Sequence, residues 1–320
     1  MISPAAANTL PLFPALPVLG RPAPDAELLR QRAGVDYFEL LVREILNRSE
    51  AARLPFDWTI NPYRGCEFGC VYCYARYTHG FFASSRPEEF ESKIYVKSNA
   101  AEKLRQRLRK SDLRGQTIAI GTATDPYQGA ERQFRVTRSL LEVFASVEGL
   151  SLSITTKSPL VLDDLALLAE LDRRHAVEVH MTLTTVDRRL ARQLEPAAPD
   201  PDARLRAIRT LADAGIAVTV NCMPVMPGIN DGEAALGKLF DAALAAGARD
   251  VHQQALFLRP ASRAVFFPWL EREFPHLVGT YQRLYSRSDY LDERAKDQLL
   301  LTFRRLRLEH GLPRALPARA

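Results

Sequence analysis

The run Asn61-Pro62-Tyr63-Arg64-Gly65-Cys66-Glu67-Phe68-Gly69-Cys70-Val71-Tyr72-Cys73-Tyr74-Ala75-Arg76 follows directly on a short β-type run that starts near Trp58. Three residues separate Cys66 from Cys70 and two separate Cys70 from Cys73. Thiolates are soft ligands suited to iron-sulfur clusters or zinc, and a loop this short can wrap three sulfurs around one corner of an inorganic cube. Gly65 and Gly69 permit positive φ and close backbone approach, which also brings amide N–H groups toward the sulfurs. Two plainer readings compete, a structural zinc knot and inert buried thiols. Structural zinc normally uses four ligands, and here the fourth has to be His79 or the distant Cys222. Were Cys222 a fourth ligand on a cluster, no open iron would remain and electron transfer would replace catalysis. Its place in the β-type run Ile216 to Cys222 fits a small core residue better.

Outward from this loop, short β-type runs start near Trp58, Thr117, Leu152, Val177, Ile216 and Asp250. Helical periodicity fills Ala100 to Lys110, Phe134 to Ser146, Leu160 to Arg173, Ala203 to Ala214 and Glu233 to Ala246. Strand alternating with helix implies parallel strands joined by right-handed crossovers, an α/β architecture with helices covering the sheet. Several strands end in small hydroxylic, amide or cationic residues: Thr122-Ala123-Thr124-Asp125, Thr155-Thr156-Lys157-Ser158, Thr182 to Thr185, Asn221-Cys222 and Gln253-Gln254. The C-terminal strand ends form the ligand-binding face of such folds, so these ends imply one shared pocket. Before Phe56 a helical pattern runs from Tyr37 to Asn47, and the chain after Pro268 reads as helical without further strands. Pro11, Pro14, Pro17, Pro22 and Pro24 interrupt the first 24 residues, which read as a flexible leader.

The composition, 47% hydrophobic and 25% charged, belongs to a soluble globular protein. The apolar stretch Leu236 to Ala248 is too short and too charged to span a bilayer, so no membrane partner is expected. Four cysteines in 320 residues, three of them clustered, make no disulfide framework and point to a metal site in a reducing, cytoplasmic compartment. A net charge of +5 is a weak pointer to an acidic partner such as nucleic acid. Arg105, Arg107, Arg109 and Lys110 read as a solvated helix face, as do Arg304, Arg305 and Arg307.

The spacing C-x3-C-x-aromatic-C, with Tyr72 in the aromatic place, resembles the signature of the radical S-adenosylmethionine (SAM) superfamily. The likeness extends from about Phe56 to Pro260 and follows the branch of spore photoproduct lyase and its DNA repair photolyase-like relatives. Beyond the cysteine loop it is carried by Tyr95-Val96-Lys97 with Asn99, Thr124-Asp125-Pro126-Tyr127-Gln128, Thr156-Lys157 and Pro224-Val225-Met226-Pro227-Gly228-Ile229-Asn230-Asp231. The resemblance implies a partial (β/α)6 TIM-like barrel of parallel strands over 56–262, after an N-terminal leader and helix (1–55) and before a C-terminal helical extension (263–320). It also implies that Cys66, Cys70 and Cys73 bind three irons of a 4Fe-4S cluster, the fourth iron being chelated by SAM. An electron from a donor such as flavodoxin or ferredoxin then cleaves SAM to methionine and a 5'-deoxyadenosyl radical, which abstracts a substrate hydrogen. By the same resemblance Lys157 meets the cosubstrate carboxylate, Thr124 lies near its ribose or amino group, Thr182 contacts its methionine part, and Tyr72 belongs to the cofactor-binding set.

One departure bears on the reaction. Where the lyase carries the cysteine that returns a hydrogen atom to the product radical, this chain has Thr122, and an O–H bond is a poor hydrogen-atom donor. Cys222, Tyr72, Tyr74 and Tyr127 are the alternatives. Asp125 and Glu131 are candidate bases with turn formation as the plainer role, and His79 and His180 read as structural. Lyase chemistry on a nucleic acid is therefore one candidate reaction. The competing function is a noncatalytic iron-sulfur or zinc protein that binds nucleic acid.

Overall fold

The computed structural model describes residues 27–32, 34–49, 54–81, 86–87 and 89–312. The proline-interrupted leader expected at the N-terminus lies outside them. In chain order the strands are β1 (Leu28–Arg32), β2 (Val35–Glu39), β3 (Asn47–Arg48), β4 (Trp58–Ile60), β5 (Tyr63–Arg64), β6 (Lys93–Val96), β7 (Thr117–Ile120), β8 (Ser151–Thr156), β9 (Ala176–Thr182), β10 (Ala217–Val225) and β11 (Asp250–Ala255).

The larger sheet has seven strands in the order β11-β10-β9-β8-β7-β4-β3. From β4 to β11 every neighbouring pair is parallel, and only β3 runs antiparallel, at the edge. Each parallel strand pairs with the next one in sequence, so the crossovers all wind in one direction and the sheet curls toward a barrel. Among the described residues it stays open between β3 and β11, which makes the α/β fold the partial TIM-like barrel expected.

Side-chain alternation explains why helices cover one face. The register aligns Ile118, Leu152 and Val177 in one row and Ile120, Ile154, Val179 and Val218 in the next. All seven are buried. They pack with Leu140 and Phe144 of helix Val136–Phe144, Leu168 and Leu171 of helix Leu165–Asp172, Ile208 and Leu211 of helix Pro201–Asp213, and Leu239 and Phe240 of helix Glu233–Ala245. Each such side chain contributes roughly 1.5–3 kcal/mol by leaving water. The alternate residues of β8 and β9, among them Ser153, Thr155, Glu178 and His180, are polar and only half-buried.

Local chemistry sets the helix starts. Asp200 accepts from the N–H groups of Asp202 and Ala203, with Pro201 opening the helix behind it. The stretch expected as one helix over Leu160 to Arg173 divides into a 3-10 segment, Pro159–Asp164, capped by the Ser158 side chain, and the helix Leu165–Asp172. Helix Ala100–Lys110 matches its expected bounds. In the C-terminal region, helix Pro260–Glu273 passes through Pro268, and Val278–Leu284 and Glu293–Glu309 follow.

The helix expected over Tyr37 to Asn47 is not formed. Val35–Glu39 is a strand, and it belongs to a second sheet, β1-β2-β6-β5, which the sequence reading did not foresee. Pairing with β6 overrides the helical spacing of the apolar residues. Beyond β2, the Asn99 side chain accepts from Val42 N and donates to Val42 O, taking backbone groups that a helix would need.

Helix Glu293–Glu309 guards β11. The buried Arg307 guanidinium lies 2.5 Å from Asp250 Oδ1 and donates to the Val251 carbonyl at 2.6 Å. Burial works against the Asp250 carboxylate, but hydrogen bonds from His252 and Arg307 outweigh it and hold the carboxyl well below its usual range. A depressed carboxyl stabilises the fold at pH values above its unfolded pKa and loses that effect as pH falls through the native value. Asp250→Asn is expected to destabilise the chain by about 2 kcal/mol at neutral pH, with the difference shrinking below about pH 4. Urea unfolding of both proteins across that range checks it, and a pH-independent loss rejects it.

Candidate functional site

The cysteine loop leaves β4 at the C-terminal edge of the larger sheet. Asn61 ties two strand ends together there, its Oδ1 accepting from Ala123 N at 2.7 Å and its Nδ2 donating to Thr122 Oγ1 at 3.1 Å. Strand β5 then pairs with β6, so the second sheet aims the loop. Gly65 has φ +86°, and a Cβ on it would lie 2.7 Å from the Lys93 carbonyl oxygen and 2.9 Å from that of Phe90. No other residue fits without moving backbone.

The loop is braced on several sides. Thr124 Oγ1 donates to Gly65 O at 2.6 Å, and Gln128 Nε2 reaches the same carbonyl and Thr124 Oγ1. Gln128 Oε1 accepts from Glu67 N, and Glu67 Oε1 accepts from Ala130 N. On the opposite side, Val71 N donates to Leu194 O at 3.0 Å and Ala197 N to Phe68 O at 3.2 Å. Arg76, 1% exposed, donates to Cys70 O at 3.2 Å and pairs with Glu91, and Ser262 Oγ donates to Cys73 O at 2.9 Å.

Cys66, Cys70 and Cys73 form no disulfide. Burial pushes all three thiols up, Cys70 to about 12. They also feel one another, Cys66 responding to the charges of Cys70 and Cys73. Lys157 and Arg204 pull Cys70 back toward ionisation, and Arg76 and Lys157 do so for Cys73. Mutually coupled thiols beside cations, Cys70 buried and Cys66 and Cys73 half-buried, suit a group that replaces their protons with metal. Among the described residues no three His, Cys, Asp or Glu side chains converge as ligands of a single metal ion. A cubane spreads its thiolates over separate corners, and three cysteines on one short loop suit that arrangement. Cys222, fully buried on β10, is pushed up to about 12 by burial and approaches the Thr184 carbonyl oxygen at 3.9 Å.

The other site candidates stand at neighbouring strand ends. Asp125, in the turn after β7, accepts from Thr156 Oγ1 and Lys157 N at the end of β8 and from Tyr127 N, all at 2.7 to 2.9 Å, and so performs the turn duty its sequence position implies. Lys157 Nζ lies 3.9 Å from Glu195 Oε1 and 5.8 Å from the centre of the Tyr72 ring, and the ammonium makes no hydrogen bond among the described residues. Thr182 ends β9 beside Asn221, and its carbonyl accepts from Arg204 Nη1 at 3.1 Å. The Tyr72 hydroxyl donates to Glu195 and lies 3.1 Å from Thr184 Oγ1.

Glu195 and Arg204 are the site residues that sequence reading missed. The Glu195 carboxylate takes the Arg204 guanidinium on one oxygen, and Tyr72 and Thr184 hydroxyls on the other. Burial opposes its charge, yet Arg204 and Lys157, with hydrogen bonds from Thr184 and Tyr72, outweigh burial and bring the carboxyl down to about 2. The available signal was slight, a glutamate at the head of a Pro/Asp-rich connection. Other candidates lie in structural roles. Glu131 accepts from the Thr137 and Arg138 N–H groups at a helix start, and His79 is buried against Phe90 and Tyr95 with its ring held down to about 4 by burial. His180 faces Glu178, and the Tyr127 hydroxyl donates to Asp164. The Tyr74 hydroxyl donates to the Thr122 carbonyl.

Residues 60–239 match the family model of the Radical SAM superfamily. An uncharacterized protein of Mycobacterium tuberculosis is 38% identical over 267 residues, covering 83% of this chain and 78% of that relative. One of Methanocaldococcus jannaschii is 29% identical over 181 residues, covering 57% of this chain and 65% of the relative. Spore photoproduct lyase complexed with dinucleoside spore photoproduct superposes with a TM-score of 0.61 at 16% identity, covering 85% of this chain and 79% of that one. A mutant of the lyase with bound AdoMet and the same dinucleoside gives 0.58 at 16% identity, with 79% and 74% coverage. At that identity the likeness is one of fold.

The loop geometry makes a direct demand on Gly65. Gly65→Ala is expected to destabilise the metal-free chain by about 2 kcal/mol or more, through the clash and the positive φ together. Urea unfolding checks this, and an unchanged midpoint rejects it.

Proposed function

The chain belongs to the radical SAM superfamily, and from that premise we propose that Cys66, Cys70 and Cys73 hold a 4Fe-4S cluster whose fourth iron is left to S-adenosylmethionine. Membership makes the chain a radical SAM enzyme, and the cluster and SAM are what the family implies. The observation that carries the assignment to these residues is the company the thiols keep. Three coupled, disulfide-free cysteines sit on one braced loop beside an ammonium, Lys157, whose donors find no hydrogen-bond acceptor among the described residues. When bound, cluster and cosubstrate supply reductive cleavage to methionine and a 5'-deoxyadenosyl radical that removes a hydrogen from the substrate.

The protein's own groups bind and orient. Lys157 offers its N–H donors to the cosubstrate carboxylate, a charge-assisted contact. Thr182, at the end of β9, meets the methionine part. Thr124 has given its proton to Gly65 O, so it contributes at most an acceptor toward the cosubstrate while it holds the loop. Tyr72 supplies an aromatic wall beside Lys157. No helix among the described residues is long and apolar enough to cross a membrane. The electron comes from a reducing partner of the flavodoxin or ferredoxin class, and a cytoplasmic setting suits that donor and free thiols.

For the substrate we infer a nucleic acid, supported by the net charge of +5 and by the fold shared with a lyase complexed with a dinucleoside photoproduct. Thr122 stands where that branch carries its hydrogen-returning cysteine, so the product radical is quenched by another group. The reaction here therefore differs from the lyase's own in its last step.

Anaerobic reconstitution is expected to load about four irons and four sulfides per chain, and reduction with SAM present to release 5'-deoxyadenosine. Zinc without sulfide, or a full cluster that yields no 5'-deoxyadenosine, rejects the assignment. Cys70→Ala is expected to abolish both cluster and cleavage. Lys157→Met is expected to retain iron and sulfide while weakening SAM binding by about tenfold or more. Binding of single-stranded or duplex DNA or RNA is expected to fall steeply between low and physiological salt, and an undetectable interaction removes nucleic acid as the substrate class.

A further inference from the structure

Glu195 and Arg204 pair with only 1% of either side chain exposed. Taking two full charges out of water is expensive, and apolar residues of similar size often serve stability as well or better, so such a pair calls for a reason besides stability. Anchoring the cysteine loop is not that reason, because the same segment already holds the loop by backbone bonds, Val71 N to Leu194 O and Ala197 N to Phe68 O. What the charges add lies inward. Oε1 of Glu195 accepts from the Tyr72 hydroxyl and from Thr184 Oγ1 at 2.6 Å, and it stands 3.9 Å from Lys157 Nζ. Arg204 completes the frame through Nε to Pro199 O at 2.8 Å and Nη1 to Thr182 O at 3.1 Å. One carboxylate thus reaches the cysteine loop and the ends of two strands, β8 and β9.

Charge bookkeeping gives this frame a direction. Glu195 stands between two cations, of which Arg204 is fixed by its carbonyl partners, while the buried Asp125 carboxylate also acts on Lys157. Lys157 is the cation left to meet a ligand: its side chain is 16% exposed, and its ammonium makes no hydrogen bond among the described residues. Accepting from Tyr72 also fixes that hydroxyl as a donor and keeps its ring beside the ammonium.

We propose that Glu195, anchored by Arg204, is a positioning residue for cosubstrate binding: it sets the Lys157 ammonium and the Tyr72 ring beside the cysteine trio and leaves the ammonium's donors for the SAM carboxylate. The proposal rests on the assignment of the cluster to Cys66, Cys70 and Cys73 and of the carboxylate contact to Lys157. It makes Glu195 act through Lys157 and Tyr72, without touching the cosubstrate.

The test uses the anaerobically reconstituted full chain, Glu195→Gln, and the double variant Glu195→Gln/Arg204→Met. Iron, sulfide and thermal unfolding are measured, and the change in the electron paramagnetic resonance of the reduced cluster is titrated with SAM. Glu195→Gln is expected to keep its cluster, lose thermal stability, and bind SAM about tenfold or more weakly. The double variant removes the orphaned guanidinium, so it is expected to regain stability, while SAM binding stays weak because no carboxylate then positions Lys157 and Tyr72. Parent-like SAM binding in either variant overturns the proposal, because the pair is then structural only. Failure of both variants to fold and take up a cluster does the same. A parent protein whose loaded cluster shows no response to SAM removes the underlying assignment, which separates that failure from one confined to Glu195.

Discussion

In the proposed assignment one electrostatic demand governs the strand-end face: three thiolates have to be brought together on one short loop. Burial alone keeps Cys66, Cys70 and Cys73 protonated. Cations near them favour the ionised form, and the proposed cluster and its ligand need the space between. The chain places Arg76 beneath the loop and Lys157 and Arg204 to one side, then restrains the last two with Glu195. The result is a positive environment of fixed shape.

The fold makes that arrangement affordable. A parallel sheet wound in one direction delivers the C-terminal ends of β4, β7, β8, β9, β10 and β11 to one rim, and each crossover returns the chain through a helix whose apolar face covers the sheet. Stability is thus supplied by rows such as Ile120, Ile154, Val179 and Val218, away from the rim. The rim residues are free to be polar. The second sheet has a narrower purpose, since β5 and β6 fix the angle at which the cysteine loop departs, and the backbone at Gly65 passes between two carbonyl groups where no side chain fits.

Local pattern carried much of this into view. The spacing of the cysteines, the six β-type runs and the helix Ala100–Lys110 were legible because each depends on neighbours a few residues away. Tyr37 to Asn47 shows where such reading fails. Its apolar spacing suits a helix, but strand pairing to β6 and the Asn99 side chain offer its backbone better partners. Glu131 shows the same for a single side chain. Its charge reads as a candidate base, and its carboxylate is consumed by the N–H groups of Thr137 and Arg138.

By itself the sequence determined the soft-ligand loop, the alternation of strand and helix, and the polar character of the strand ends, because periodicity and ligand spacing are properties of a local stretch of chain. Only the tertiary structure decided that Tyr72, Lys157, Glu195 and Arg204 share one pocket. Those residues come from the cysteine loop, from the end of β8, and from either side of the connection that follows β9, and they meet only after the crossovers have wound the sheet. Which buried charges neutralise one another is set by that meeting, and no one-dimensional pattern encodes it.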